Sequence, residues 1–293
     1  MRQRILVSLA APAAAVVFSL VVSSLILAAS GNNPFTVFND MFEFSTRLES
    51  IISMINRAVP LYISGIAVAI GFRMNLFNIG VEGQYRLAAL IAAAVGGAVD
   101  LPPPIHVGLI ILVGMLVGSA WAGVAGALKV TRNVHEVIST IMLNFIAIGL
   151  IGYLLRVHLF DEEDVSLNIR TPEIPASGRL PSLNNLVEAI SREPRGGLSL
   201  SSFVFFAIVA GVVYYVLVWR TRLGYDLRAT GINPWAAQAS GVPPKRTIMT
   251  TMLISGAFAG LIGMTELLSF AHEYSLDFTS GLGFLGIAVA LLG

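Results

Sequence analysis

Runs of roughly 20 apolar residues, the length that spans a bilayer as a helix, recur along this chain at 5–29, 51–72, 85–101, 105–129, 137–157, 201–219 and 246–270, and an incomplete eighth starts at 281. They dictate an all-α polytopic membrane protein, read as one transmembrane domain over 1–293. Only 12% of residues are charged and the mean hydropathy is +0.80, against about 25% charged in soluble domains. The run after Arg2 and Arg4 exceeds a signal-peptide core of roughly 7–15 residues and reads as a retained first helix. The partial span 281–293 would rise only about 20 Å against a hydrocarbon core of roughly 30 Å. The chain is therefore expected to be a C-terminally truncated piece of a longer protein. Without cysteine there are no disulfides, thiolate metal sites or thiol nucleophiles.

Basic residues sort by side. With the N-terminus inside, Arg2 and Arg4, Arg73 and Arg86, Lys129 and Arg132, and the stretch 220–246 share the inner face. The long loop 158–200 falls outside. It carries Asp161, Glu162, Glu163, Asp164, Glu173, Glu188 and Glu193, and its four prolines keep it mostly irregular, with a short helix at Leu183–Ser191.

Two segments interrupt the apolar pattern. The stretch from Arg73 to Tyr85 puts Asn75, Phe77, Asn78, Gly80, Glu82, Gly83 and Gln84 near hydrophobic depth. The stretch from His272 to Ile287 follows the seventh run. Polar, irregular backbone at that depth must line a cavity or be buried in protein. By the topology above one break faces inside and the other outside, as paired discontinuous helices of an inverted repeat would. The plainer reading is two ordinary glycine-containing loops. Asn75, Phe77, Asn78, Glu82, Gln84 and Asn144 are the candidate substrate-path residues. Glu82 is also a candidate for an inner-face salt bridge with Arg73 or Arg86, and Asn144, which lies mid-span, for a plain interhelical hydrogen bond. Glu266, in the seventh run, reads as reaching the outer interface.

The stretch Arg220–Arg246 is too long and too polar for a turn between membrane helices. It holds five of the chain's 18 Lys and Arg residues. Asn233 reads as an N-cap and Pro234 as the first residue of a short helix that Gly241 and Pro243-Pro244 stop. A basic helix held at that face invites a docking partner.

Other motifs dissolve on inspection. GLGFLG at Gly281–Gly286 matches a dinucleotide fingerprint, but no βαβ unit surrounds it. It reads instead as small residues for close helix contact, as do Gly114 with Gly118 and Gly256 with Gly260. His135-Glu136 lacks the second histidine of a zinc-protease helix, since position 139 is Ser. The sequence has no P-loop, so no ATP site of that kind is expected; the four histidines form no cluster, and no metal or cofactor is expected in this chain.

NLFNIGVEGQ at Asn75–Gln84, TRNVHEVISTIMLN at Thr131–Asn144 and GYDLRATGINPWAAQASGV at Gly224–Val242 together resemble permeases of the ribose/branched-chain amino acid class of ABC importers, in their nucleoside and simple-sugar branch. The resemblance implies a type II ABC importer transmembrane fold with inverted repeats in the bacterial inner membrane. It implies partners too: a cytoplasmic ABC ATPase, a second and different permease chain, and an extracytoplasmic binding protein, with no nucleic acid. The segment 220–245 would hold the coupling helix, with Arg228, Asn233, Pro234, Ala236, Ala237 and Gly241 as the ATPase-coupling residues: Asn233 and Pro234 fix the helix start, Ala236 and Ala237 give a small surface for the partner, and Arg228 pairs with an acid there. Such a chain performs no chemistry. An ion-coupled secondary transporter is the alternative, and a polytopic membrane enzyme lacks a cluster of catalytic side chains.

Overall fold

The computed structural model describes residues 2–160, 168–190 and 197–292. Four of the loop acids named above (Asp161, Glu162, Glu163, Asp164), Glu193, and the end of the short loop helix at Ser191 lie outside them. Among the described residues the architecture is helical, and β pairing is confined to the isolated bridges Arg170–Ser275 and Ser182–Ser201.

Among the described residues, six helical stretches are long and apolar enough to cross a membrane. They lie in α1 (Arg2–Ala29), α3 (Leu48–Phe72), α5 (Pro103–Arg132), α6 (Glu136–Val157), α8 (Phe203–Arg220) and the interrupted helix Pro244–Ala271. α1 buries none of its apolar window, and α6 and α8 turn Ile138, Phe145, Phe205 and Val209 outward. That is the exposure expected where lipid is the solvent. Between α1 and α3 lies α2 (Pro34–Thr46), which the apolar pattern does not indicate. Its start is nonetheless written locally: Asn33 accepts from the Phe35 amide at 3.0 Å and Pro34 opens the helix.

The centre of the molecule is α4 (Val81–Ala98). Glu82, Gln84 and Arg86 crowd its first turns, and most of it is buried against α3, α5, α6 and the last helix, α13 (Leu282–Leu292). A helix carrying these residues needs protein, not lipid, around it.

The expected span 246–270 is not one helix. α11 (Pro244–Ala259) ends, the chain turns through Gly260–Gly263, and a short α12 (Met264–Glu266) runs into a wide π turn at Leu267–Ala271. α11 packs on α5 through paired glycines. A Cβ on Gly118 would lie 2.3 Å from the Gly256 carbonyl oxygen, and one on Gly260 would strike the Gly114 carbonyl. The two small-residue pairs of the sequence thus face each other.

The helix ends carrying Arg73, Lys129, Arg132 and Arg220 define a basic face. α9 (Arg222–Ile232) and α10 (Pro234–Ala239) lie there between α8 and α11. On the opposite, loop face lies α7 (Asn184–Ile190), and the segment before it packs over the second break. The Thr171 amide donates to the Tyr274 carbonyl at 3.0 Å, the Ile174 amide to His272 at 2.8 Å, and Arg170 pairs with Glu273 at 3.0 Å.

Candidate functional site

The two interrupted segments meet. After α3 the chain turns back through Asn75, held in the left-handed region at φ 58°. Gly71 is needed beneath it, because a Cβ there would lie 2.7 Å from the Leu76 carbonyl oxygen. The chain then re-enters the molecule, so α4 starts at mid-depth. Beside that start is Ser64 of α3, which donates to the Leu282 carbonyl at 2.8 Å and sits about 12 Å along the helix from Phe72. α13 starts at the same level and runs the other way. The contact is close: a Cβ on Gly283 would stand 2.4 Å from the Glu82 amide nitrogen.

Glu82 ties the two helix starts together. It occupies the first turn of α4 and is 3% exposed. One carboxylate oxygen accepts from the Gly281 amide at 2.8 Å and from the Tyr85 hydroxyl at 3.2 Å; the other accepts from the Gly283 amide at 3.0 Å. One anion thus serves the positive ends of two helices. The Tyr85 hydroxyl also reaches the Thr279 carbonyl at 2.8 Å. The expected salt bridge is overturned, since Glu82 makes no ion pair with Arg73 or Arg86 among the described residues. For Arg73 the physical reason is depth: re-entry carries Glu82 away from the basic face, where the Arg73 guanidinium lies over Trp219 at 5.6 Å; Arg86 travels with Glu82 on α4, but the carboxylate oxygens are taken by the Gly281 and Gly283 amides and the Tyr85 hydroxyl.

The other polar residues of the first break are also buried. Asn78 donates to Gln84 Oε1 at 3.0 Å and to Ser255 Oγ at 2.8 Å, and accepts from the Gly80 amide at 3.1 Å. Ser255 passes its proton to the Ala67 carbonyl at 2.7 Å. Asn144 accepts from the Gly83 amide and donates to the Ile79 carbonyl, both at 2.9 Å. It is an interhelical clamp on the start of α4, and Gly83 has no room for a methyl group beneath it. Asn78, Glu82, Gln84 and Asn144 therefore converge, their hydrogen-bonding capacity turned inward. Asn75 and Phe77 stay exposed on the turn. Phe77 packs on Phe72 at 5.1 Å between ring centroids, and the Asn75 amide approaches the Gly231 carbonyl at 3.4 Å.

That last contact leads into the basic-face segment. Asn233 Oδ1 accepts from the Trp235 and Ala236 amides at 3.0 and 3.1 Å, and Pro234 opens α10. Gly241, at φ 85°, ends it in a Schellman turn with bonds from Val242 to Ala237 and from Gly241 to Gln238. Ala236 is exposed, but Ala237 is buried against the chain itself, so a bulky residue there would test folding rather than docking. Arg228 is engaged internally, donating to the Val218 carbonyl with its guanidinium 4.5 Å over Trp219. The projecting apolar groups are Ile232 and Trp235, 88% and 79% exposed. α9 itself escaped the sequence reading because Gly224 and Gly231 punctuate it. Gly224 is required, since a Cβ there would meet the Leu217 and Val218 carbonyls.

On the loop face the sequence reading missed a cavity of about 480 Å³ between α3, the interrupted helix and the start of α13. Glu266 lines it together with Arg57 and Thr265. The available signal was the rule that an acid inside an apolar run marks function.

A profile of the branched-chain amino acid transport system / permease component family matches residues 50–293. The chain is 36% identical to the guanosine ABC transporter permease protein NupP of Bacillus subtilis, over 96% of this chain and 78% of that protein. It is 32% identical to the glucose ABC transporter permease protein TsgB13 of Haloferax volcanii, over 96% and 74%. It is 28% identical to the nucleoside ABC transporter permease protein NupB of Lactococcus lactis, over 96% and 77%. No solved structure matches it.

Proposed function

Because this chain belongs to the family of permease components of branched-chain amino acid transport systems, we propose that it is the membrane-spanning subunit of an ATP-driven importer for a nucleoside or simple sugar. A binding protein delivers the solute to the loop face, which is extracytoplasmic. A separate ABC ATPase docks on the basic face, which is cytoplasmic along with the N-terminus, in the inner membrane. A second, different permease chain completes the path. α4 and α13, antiparallel with their starts side by side at mid-depth, are the matching half-helices of an inverted repeat.

The observation that carries this reading is the α9–α10 segment. A six-residue helix with a complete N-cap and Schellman end holds Trp235 out in water. A large exposed aromatic on a fixed helix suits a protein partner. Its neighbour Gly231 lies against the backbone of the first break, with room for no Cβ between them. Movement of the docked segment is thereby passed to the start of α4. The substrate-path role of Asn78, Glu82, Gln84 and Asn144 is to set the position of these helix starts, and Asn75 and Phe77 connect them to α9. Glu82 weighs against the ion-coupled alternative, because both its oxygens are already committed.

Replacing Trp235 by Glu in the full-length protein tests this. The variant is expected to reach the membrane at normal level while ATPase co-purification falls at least about tenfold, the loss of one hot-spot residue. Unchanged recovery of the ATPase overturns the docking assignment.

A further inference from the structure

The loop-face cavity ends where the path begins. Thr279, in its wall, receives the Tyr85 hydroxyl on its carbonyl, and the next glycine, Gly281, is bound by Glu82. A solute in the cavity would therefore rest directly on the paired helix starts. α3 supplies one wall. The lining from this helix runs from Ser53 to Leu61, about 8–20 Å below the start of the helix at Leu48.

The opposite wall exists because the helix is broken. The turn at Gly260–Gly263 and the π winding at Leu267–Ala271 bring Thr265, Glu266 and Phe270 to the same cavity. A π turn of this kind commonly re-aims side chains at a functional site. Three polar side chains of the cavity are unspent. Arg57 and Glu266 make no hydrogen bond or ion pair among the described residues, with each other or with anything else. Thr265 is 3% exposed, and its hydroxyl has no partner among the described residues. A buried hydroxyl in that condition is waiting for a ligand atom or a water. Phe270 presents a half-exposed ring, and Phe278 is held in place by stacking on Tyr274 at 4.6 Å.

These pieces match one kind of molecule. The rings and aliphatic walls suit a flat, apolar face rather than a body with hydroxyls all round. A carboxylate is an acceptor-only group whose two oxygens match two parallel N–H donors, and the guanidinium fork is donor-only. We propose that this cavity is the entry-side recognition subsite of the importer, and that Glu266 selects a purine nucleoside whose base edge presents adjacent N–H donors, as guanine does. Arg57 serves the acceptor atoms of the solute, and Thr265 a polar atom at the depth of the helix break. The assignment rests on the importer reading above.

Substituting Glu266 by Gln tests the subsite through a change of preference. Glutamine offers one acceptor and one donor, the pattern that pairs with adenine's exposed amine and ring nitrogen. The full transporter complex, in nanodiscs, is titrated with guanosine, adenosine and glucose without ATP. It is then assayed in proteoliposomes for ATP-driven uptake of the same three. The expected result is a fall of about tenfold or more in guanosine binding by the variant, with adenosine binding kept or raised. Retained adenosine binding also shows that the variant is folded. Equal loss of all three solutes, no loss of guanosine, or a wild-type complex that binds no guanosine overturns the subsite. Guanosine bound as expected but never driven by ATP leaves the subsite standing and removes the importer reading. ATP-driven uptake indifferent to the substitution does the reverse.

Discussion

At the scale of single residues, Glu82 joins the starts of α4 and α13 through both carboxylate oxygens. Its neighbours in space lie about two hundred positions away in sequence, which is why sequence alone pointed to Arg73 or Arg86 instead. Proximity along the chain favours those arginines; the re-entrant turn removes the carboxylate from Arg73, and the Gly281 and Gly283 amides take its oxygens in place of Arg86. The two readings differ measurably. Replacing Glu82 by Ala leaves the Gly281 and Gly283 amides without their acceptor, at about 1–3 kcal/mol for each buried group. The expected outcome is a large drop in thermal stability in detergent, while Arg73→Ala, whose partner is the Trp219 ring, adds its own small effect independently. Strong coupling between the two substitutions would restore the salt bridge. Asn233 is the contrasting case. Its cap, Pro234 and Gly241 are all legible, because capping is decided within a few residues. The same Asn-Pro pair at Asn33-Pro34 announces α2 just as clearly.

At the scale of elements, hydropathy reports which segments avoid water and is silent about winding. The runs near 105–129, 137–157 and 201–219 each lie within one long helix or nearly so. The run 246–270 is also apolar enough to cross a membrane, yet it breaks at Gly260–Gly263, since a glycine-rich apolar stretch reads the same whether straight or kinked. Buried contacts settle the matter, and they are dominated by the crossing of α5 and α11. Gly256→Ala places a methyl carbon 2.3 Å from the Gly118 carbonyl oxygen, a backbone atom that cannot rotate away. Destabilisation by about 1–3 kcal/mol or more is expected, read as loss of monodisperse protein and a lowered unfolding temperature. Gly149→Ala, on an open face of α6 with nothing within 4 Å, is the matched control. It should be neutral or slightly stabilising, by up to about 1 kcal/mol from helix propensity. Equal behaviour of the two variants would mean that the glycine crossing does not hold these helices together.

At the scale of the whole molecule, the basic-face segment and the mid-depth junction form one mechanical line. α10 is continued through Asn233 into α9; α9 rests on the turn after α3 through Gly231; that turn leads within a few residues to Asn78, Glu82 and the paired helix starts. A push on α10 therefore reaches α4 and α13 without passing through a flexible loop, provided Gly231 keeps its close seat. A Cβ at that position would stand 2.8 Å from both the Arg73 carbonyl oxygen and the Met74 Cα. Gly231→Ala must separate α9 from the turn while leaving Trp235 and the cap of α10 untouched. The expected phenotype is specific. The ATPase still co-purifies and hydrolyses ATP, but solute moved per ATP falls by about fivefold or more, the range of a lost coupling free energy of 1–3 kcal/mol. Asn75→Gly, which keeps the left-handed turn and removes the long 3.4 Å hydrogen bond across the same seam, should do the same more weakly. Loss of ATPase binding in Gly231→Ala would place the fault in docking rather than transmission. Full transport efficiency would show that motion reaches the path by another route, with α8 and its Trp219–Arg228 stack the next element to test.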